Sequence, residues 1–448
     1  MQHTKILNKS SILYLANQTL YKVLEKEINL NVLLSQKDPG LQEPIQMEIV
    51  YGVLRYYFFL KTKLTPLLSK KLKRKDADIE LLILMGIYQI HFMKAPVYAA
   101  VNETVSVCEE INKGWAKGLV NAILRKVSEQ TLSGPLPNSD MPAWLSKKLE
   151  EDFPKFHKEI KAAFLNKPQM TLRINTSKVD PLAYLKKLEE AGISVKTTYF
   201  EEAIILENAQ PYLTLPGWDS GLVSIQDFGA INVGRIFAEQ IQHSPISNKK
   251  ILDACAAPGG KLFHVFELMK RLSLETSISA IEIKTKRLKD MLTTAGRLGH
   301  EVHITQGDAT QSDWWDQKQY THILVDAPCT SSGTIAKNPD VKVLLNSNRI
   351  KELQEKQFAI LSSLWEKLAP GGSIFYSTCS LFNEENDNLI QKFLKTQPDS
   401  KILKMNMPKQ ISNAMETNCG WYLLPFDKMS DGFYCSLISK APYPKELQ

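Results

Sequence analysis

The sequence predicts an α/β protein of 448 residues, with a doubly wound parallel sheet in its second half, an all-α domain before it and a small α/β region between the two. Three observations lead there. From Asn248 onward, apolar strand-like runs alternate with helical periodicities, the pattern of parallel strands joined by crossover helices. Residues 1 to about 130 carry apolar side chains at spacings near 3.6 with no β-branched alternation, which indicates a helical bundle. Between them, residues 130 to 145 (SGPLPNSDMPAW) concentrate Pro, Ser, Gly and Asn and mark a boundary.

Taken in order, Ser10 and Ser11 are candidate caps for a first helix carrying Leu13, Ala16, Leu20, Val23 and Leu24. Pro44 suits the first turn of a second helix that carries Ile49, Val50, Val53 and Leu54. Asp76 or Asp78 starts the most apolar helix, Ile79–Ile90, and further helices run over Val97–Cys108 and Ala116–Val127. Lys70-Lys-Leu-Lys-Arg-Lys75 lies between helices; it is either a phosphate-attracting patch or a solvated linker. The middle region reads as one helix from Trp144 to about Phe164, strand Thr171–Asn175, helix Pro181–Ala191, and strands Ile193–Tyr199, Ala203–Leu206 and Gly221–Ile225. Arg173, Gln226 and Asp227 either line a site or serve structure, and the structural role is the one expected. The last region gives strands Lys250–Ala254, Ile278–Ile283, Val302–Thr305, His322–Asp326, Ser373–Ser377 and Gly432–Ile438. Its helices fall at Lys286–Leu298, closed by Gly299, then Ile350–Leu368 and Glu385–Lys395.

Bulk composition narrows the classes. The net charge of +7 admits a nucleic-acid partner without requiring one. Six cysteines with no C-x-x-C spacing argue against a disulfide framework or a zinc site. The opening MQHTKILNKS lacks a signal-peptide core, and the apolar run Leu81–Ile87 is far shorter than the roughly 20 residues of a membrane span. A cytoplasmic protein with no membrane partner is expected.

Chemistry concentrates where strands end, because ligands of such sheets bind beyond the strands' carboxyl ends. Asp253-Ala-Cys-Ala-Ala-Pro-Gly-Gly-Lys261 reads as strand, tight turn, helix. A P-loop would need Gly at 255 and Ser or Thr at 262, where this chain has Cys255 and Leu262; adjacent glycines also break the dinucleotide pattern. What remains suits a nucleoside with a charged tail, held by backbone amides and the helix N-terminus. Glu282 ends the second strand, where a carboxylate accepts both ribose hydroxyls. Asp308 ends the third, placed for an exocyclic amine. The fourth strand ends in Asp326-Ala-Pro-Cys-Thr330 and the fifth in Tyr376-Ser-Thr-Cys-Ser380, so two cysteines sit at the ligand end of neighbouring strands. A free cysteine is usually buried and inert, which is the expectation for Cys108, Cys419 and Cys435. A thiolate beside a nucleoside cofactor has a use: adding to C6 of a pyrimidine makes C5 nucleophilic toward an electrophilic methyl group, after which a base removes the C5 proton and the thiolate leaves. The thiol's pKa should be lowered for this. Asp326 is the candidate to stabilise the adduct near N3. The residues alone do not rank Cys329 against Cys379.

DACAAPGGK, DAPCTSSG and YSTCSLFNEEN resemble the signature segments of RNA 5-methylcytosine methyltransferases that use S-adenosyl-L-methionine (SAM). The N-terminal segments LRYYFF, DADIELLILMGIYQIHF and NAILRKV are similar to the NusB-like domain of one branch, the bacterial small-subunit (16S) ribosomal RNA methyltransferase B (Sun/Fmu) family. The resemblance implies an all-α NusB-like RNA-binding domain (1–135), a small α/β, RRM-like RNA-recognition region (140–240) and a Rossmann-like class I SAM methyltransferase domain (245–442). It implies that Cys379 is the covalent nucleophile and that Cys329 assists product release. It implies that Cys255, Ala256, Ala257, Pro258, Gly259, Gly260, Lys261, Glu282, Asp308 and Asp326 contact SAM, with no metal. The substrate would be 16S ribosomal RNA, unassembled or partly assembled, and the protein a monomer. Departures are small. The family often has Asp at the position of Glu282 and Ser at that of Thr330, and its Arg/His-rich stretch is here Ala336-Lys-Asn-Pro-Asp340. Relatives acting on tRNA or large-subunit RNA share these motifs. Methylation of an amide or exocyclic nitrogen would instead place Asn-Pro-Pro-Tyr or Asp-Pro-Pro-Tyr after the fourth strand, and a non-catalytic NusB-like factor would not need the turn and both cysteines.

Overall fold

The computed structural model describes residues 9–35, 43–129, 138–427 and 429–442. These form two compact units, one holding the described residues up to Asn166 together with Ile335–Leu345, the other Lys167–Thr334 and the described residues from Asn346 onward.

The first unit is helical: α1 (Lys9–Glu25), α2 (Leu30–Leu34), α3 (Pro44–Arg55), α4 (Tyr57–Leu64), α5 (Ala77–His91), α6 (Val97–Glu110), α7 (Lys117–Glu129), α8 (Ala143–Asp152) and α9 (His157–Ala163). Helix α5 is apolar all round because it is the core, with Ile79, Leu82, Ile83, Leu84, Met85 and Ile87 all at 0% exposure. Pro44 opens α3 as the sequence suggests; the side chains of Ser10 and Ser11 lie outside the described residues, as do residues 130–137. Asp76 does not cap α5 with its side chain but pairs with Lys113 Nζ at 3.0 Å. The single helix expected over Trp144–Phe164 is two, α8 and α9. Pro154 disfavours helical dihedrals at Phe153, which sits at φ −132°, ψ 63°. All five basic residues of Lys70–Lys75 are exposed, and Arg74 reaches Glu25 at 3.3 Å. The segment Ile335–Leu345 is tied into this unit: Asp340 Oδ2 accepts from Asn29 Nδ2 at 2.9 Å and the Leu30 amide at 3.0 Å, and Arg55 donates to the Ala336 carbonyl at 2.9 Å.

The second unit begins with β1 (Thr171–Ile174), α10 (Pro181–Glu190), β2 (Val195–Thr197), β3 (Ala203–Leu206) and β4 (Val223–Ile225), an antiparallel sheet in the order β2-β3-β1-β4. Asp180 caps α10 through the Leu182 amide at 2.9 Å, with Pro181 in the first turn. Then come α11 (Phe228–His243), β5 (Lys249–Asp253), α12 (Gly260–Arg271), β6 (Thr276–Glu282), α13 (Thr285–Leu298), β7 (His303–Gln306) and β8 (Tyr320–Asp326). The one-turn α14 (Val341–Leu344) belongs to the helical unit, and α15 (Ser347–Lys367), β9 (Leu368–Thr378), α16 (Asp387–Thr396), β10 (Ser400–Ile402), β11 (Ala414–Glu416), β12 (Trp421–Leu423) and β13 (Phe433–Lys440) complete the chain. The large sheet runs β11-β12-β13-β9-β8-β5-β6-β7, with β10 on β13.

Strands β9, β8, β5, β6 and β7 are mutually parallel, which is the doubly wound core the alternation predicts. The order reverses between β5 and β8, and ligands of such sheets bind at the carboxyl ends flanking that reversal. Strand β13 pairs antiparallel with β9 from Tyr434↔Thr378 to Ser439↔Ser373. Helix α11 and the short strands β10–β12 were not foreseen. Gly229, Asn232 and Gly234 dilute the apolar face of α11, and three-residue strands leave almost no period to read. Among the described residues no helix is long and apolar enough to cross a membrane.

Candidate active site

The turn after β5 is stitched to both neighbouring strands. The Ala254 amide donates to the Leu324 carbonyl at 2.9 Å and the Ala256 amide to the Ile281 carbonyl at 3.2 Å. Gly259 adopts φ 97°, and a Cβ there would sit 2.4 Å from the Phe263 ring, so only glycine closes this turn. Helix α12 then starts at Gly260 and points its unpaired amides into the crevice end of the sheet. Ala257 is half-buried and Pro258 exposed at the turn's outer edge. Cys255 is no candidate nucleophile. Burial, followed by the charges of Asp253, Asp326 and Glu282, pushes its thiol far above the ordinary value. Burial and the nearby Asp326 likewise raise the Asp253 carboxyl to about 7.

Glu282 closes β6 and accepts the Lys284 amide at 2.8 Å, which fixes one carboxylate oxygen at the strand end. Asp308 follows β7. Its Oδ1 accepts from the Thr310 amide at 2.9 Å and the Thr310 hydroxyl at 2.8 Å, and its backbone carbonyl is held by the Trp314 indole at 2.9 Å. The turn, Glu282 and Asp308 thus stand on three adjacent parallel strands. A glycine-only cradle followed by two anchored carboxylates fits a nucleoside with a charged tail. Among the described residues no group of three or more His, Cys, Asp or Glu is arranged to hold a metal ion.

On the other side of the switch point, Asp326 at the end of β8 is bound twice. Its Oδ2 pairs with Lys261 Nζ at 2.7 Å and its Oδ1 accepts from Ser377 Oγ at 3.0 Å. The strand register places Asp326 directly opposite Ser377, so both chains open into loops at the same level. Those loops bring the two cysteines together: Cys329 Sγ and Cys379 Sγ are 3.4 Å apart, and Cys379 Sγ is 3.5 Å from Ser331 Oγ. Both residues are partly exposed free thiols. The contact with Cys329 draws the Cys379 thiol below its ordinary value against the cost of burial, with Ser331 and the Lys261 ammonium assisting. Cys329 moves the other way, raised by the same contact, by burial and by the charge of Glu385. The contact thus shifts the two thiols in opposite directions, Cys379 down and Cys329 up.

Sequence reasoning missed Glu385 as a participant. It stands within the segment SLFNEEN, and only its burial at 0% exposure distinguishes it from a surface acid. Arg173, Gln226 and Asp227 serve structure, as expected. Arg173 is buried against Glu267 at 2.9 and 3.0 Å, donates to the Gly260 carbonyl at 2.6 Å and bonds Gln226, while Asp227 caps α11 through the Gly229 amide at 2.8 Å. Cys108, Cys419 and Cys435 are buried.

Family models match most of the chain. The model described as 16S rRNA methyltransferase RsmB/F covers residues 241–439, the NusB family model covers 11–129, and the RsmF/B-like ferredoxin-like domain model covers 141–212. The chain is 34% identical over 433 residues to the probable ribosomal RNA small subunit methyltransferase B of Coxiella burnetii, which spans 94% of this chain and 97% of that protein. It is 33% identical over 440 residues to ribosomal RNA small subunit methyltransferase B of Shewanella oneidensis, spanning 96% and 99%. Among solved structures, PH0851 superposes with a TM-score of 0.77 at 20% identity over 97% of this chain and 99% of that one. NSun6 from Pyrococcus horikoshii gives 0.56 at 18% identity over 67% and 98%. At these identities the two structures speak to the fold.

Proposed function

The chain belongs to the ribosomal RNA small subunit methyltransferase B family, and from that membership we propose that it methylates C5 of a cytosine in 16S ribosomal RNA through a covalent adduct on Cys379. When bound, SAM supplies an electrophilic methyl group. Its holders would be the turn from Cys255 to Lys261, with Glu282 on the ribose, Asp308 on the adenine amine and Asp326 as a further contact.

The chain's own residues account for the other steps. Cys379, the sulfur with the lowered pKa, adds to C6 of the target ring, and electron density moves toward N3 and C5. Asp326, paired with Lys261 at 2.7 Å, is the group we assign to stabilise that charge near N3. After C5 carries the methyl group, its proton leaves to a base, the C6–S bond breaks, and the ring regains its double bond. Cys329, 3.4 Å from Cys379 and with its thiol shifted upward, is the group we assign to exchange a proton with the departing sulfur and assist release. A cytosine reaches such a site only by leaving its stack. Residues 1–135 and 140–240 would hold the surrounding RNA through phosphates and unpaired bases, while 245–442 does the chemistry. The reading takes the protein as a cytoplasmic monomer acting on free or partly assembled RNA.

The observation that carries this reading is the pair of thiols in contact at neighbouring strand ends, beside the Lys261–Asp326 pair. The test is transfer of labelled methyl from SAM to unmodified small-subunit RNA, with bisulfite sequencing of the product. Cys379→Ala should abolish transfer. Cys329→Ala should accumulate a protein–RNA adduct that survives denaturation. Label appearing on a base other than cytosine, or full activity of Cys379→Ala, would refute the proposal.

A further inference from the structure

Glu385 lies in the turn Asn383–Glu385 that leads into α16, and it is fully buried. Its Oε1 accepts from the Thr330 amide at 2.9 Å and from Gln357 Nε2 at 3.0 Å. Its Oε2 accepts from Thr330 Oγ1 at 2.5 Å and from Ser380 Oγ. Thr330 is the residue after Cys329, and Ser380 is the residue after Cys379. One carboxylate is therefore bonded to the chain just beyond both sulfurs.

The neighbours extend the clamp. Gln357 also donates to the Pro328 carbonyl at 2.9 Å, just before Cys329. Asn386, next to Glu385, accepts from Thr378 Oγ1 at 2.6 Å and donates to the Ser380 carbonyl at 2.8 Å, so it spans Cys379 from both sides. Ser332 closes the remaining gap through Ser380 Oγ at 3.2 Å and the Leu381 amide at 2.9 Å.

A buried carboxylate is costly unless its oxygens are satisfied, and well-packed apolar side chains can join two loops with less penalty. Here four donors converge on the two carboxylate oxygens and oppose the upward shift that burial imposes on the carboxyl. Holding two backbones to a fixed separation is what such a node does and apolar packing does poorly.

We propose that Glu385 is a positioning residue for the two-cysteine centre: its carboxylate ties the Cys329 loop to the Cys379 loop and sets the sulfur–sulfur contact on which their division of labour depends. The inference rests on the roles given above to Cys379 and Cys329. Burial raises the Glu385 carboxyl while its four donors oppose that rise, and as an anion it adds to the upward shift of the Cys329 thiol, after the Cys379 contact and burial.

The test reads thiol reactivity in the full-length protein without RNA or donor. Iodoacetamide alkylation of each cysteine is followed by peptide mass spectrometry from pH 5 to 9 for the wild type, Glu385→Gln and Thr330→Val. In the wild type, Cys379 should react ahead of Cys329. Glu385→Gln loses two acceptor positions and the charge; it should cut the Cys379:Cys329 rate ratio at least about tenfold, one pKa unit, and move the Cys379 profile toward that of an ordinary thiol. Thr330→Val removes one of the four donors and keeps the amide bond, so it should fold where Glu385→Gln does not and should shift the ratio in the same direction by less. A ratio and profile unchanged in either folded variant would overturn the proposal. A changed ratio in a protein that places no methyl group on cytosine would leave the clamp standing and remove the function assigned to it.

Discussion

Lys261 Nζ lies 2.7 Å from Asp326 Oδ2, a bond that joins the first turn of α12 to the end of β8 across the switch point of the sheet. Burial alone would lower the lysine's pKa, but Asp326 and the neighbouring anions raise it, so the ammonium keeps its charge inside the crevice. It also stands 4.9 Å from the Phe433 ring centroid. Such a preorganised charge acts on whatever negative density develops beside it. Lys261→Met keeps the aliphatic stem and removes the charge. Labelled-methyl transfer should fall on the order of a hundredfold, with donor affinity by calorimetry falling less than about tenfold. Equal losses in the two measurements would instead assign Lys261 to donor binding alone.

The left-handed turn residue gives a sharper comparison. Gly259 at φ 97° and Gly371 at φ 78° share a backbone conformation that side chains rarely adopt. A Cβ on Gly259 meets Phe263 at 2.4 Å, whereas one on Gly371 meets nothing within 4 Å. Gly371→Ala should therefore cost only the dihedral strain, about 1 kcal/mol, and leave donor affinity within about twofold. Gly259→Ala adds a clash inside the turn that presents the α12 amides. On the donor-holding role proposed for this turn, it should lower donor affinity at least about tenfold. Matching affinities in the two variants would show that the turn's precise path does not matter to the donor.

In the helical unit, Asp140 and Lys342 make a buried pair at 2.6 Å, each almost without exposure. Lys342 also donates to the Arg55 carbonyl at 2.7 Å and to the Asp140 carbonyl, while Asp140 accepts the Phe58 and Phe59 amides at 3.2 and 2.5 Å. Removing one partner of such a pair strands the other charge. Asp140→Ala should destabilise the unit by about 3–5 kcal/mol, and the double variant Asp140→Ala, Lys342→Met should recover part of that loss. Urea denaturation monitored by far-ultraviolet circular dichroism measures both. A double variant no better than the single would mean that the two amides, and not the charge, set the cost.

The extent to which the site was legible follows from what each signal depends on. Glu282, Asp308 and Asp326 sit at strand ends, and strand ends are visible as apolar runs giving way to polar residues. The cysteines were visible as candidates for the same reason, but their order was not. Only the fold shows that they lie 3.4 Å apart in different surroundings, Ser331 and Lys261 beside one and Glu385 beside the other. Glu385 itself looks like a surface acid in sequence, because its four partners come from residues 330, 357 and 380. The same holds for the fold. Helix α5 and the parallel core were readable from long periodic runs, whereas α11 and the strands β10–β12 depend on tertiary pairing that a local pattern does not carry.

Asp253 supplies a prediction with a definite sign. Burial and Asp326 raise its folded-state carboxyl to about 7, while Lys261 and the Cys255 amide, 3.4 Å from Oδ1, oppose the shift. The unfolded chain releases this proton near the ordinary aspartate value of about 3.9. Between those two values the folded state binds more protons than the unfolded one, so the contribution to stability is full at the acid end and is lost as pH rises through about 7. The slope from this group is at most about 1.4 kcal/mol per pH unit. Asp253→Asn imitates the protonated acid and keeps an acceptor for the Cys255 amide. Its unfolding free energy, from urea titrations at pH 5, 6, 7 and 8, should lack this falling component and exceed that of the wild type at pH 8. Parallel pH curves for the two proteins would mean that the wild-type carboxyl is already ionised at pH 5, and that the Lys261 ammonium compensates Asp253 as well as Asp326.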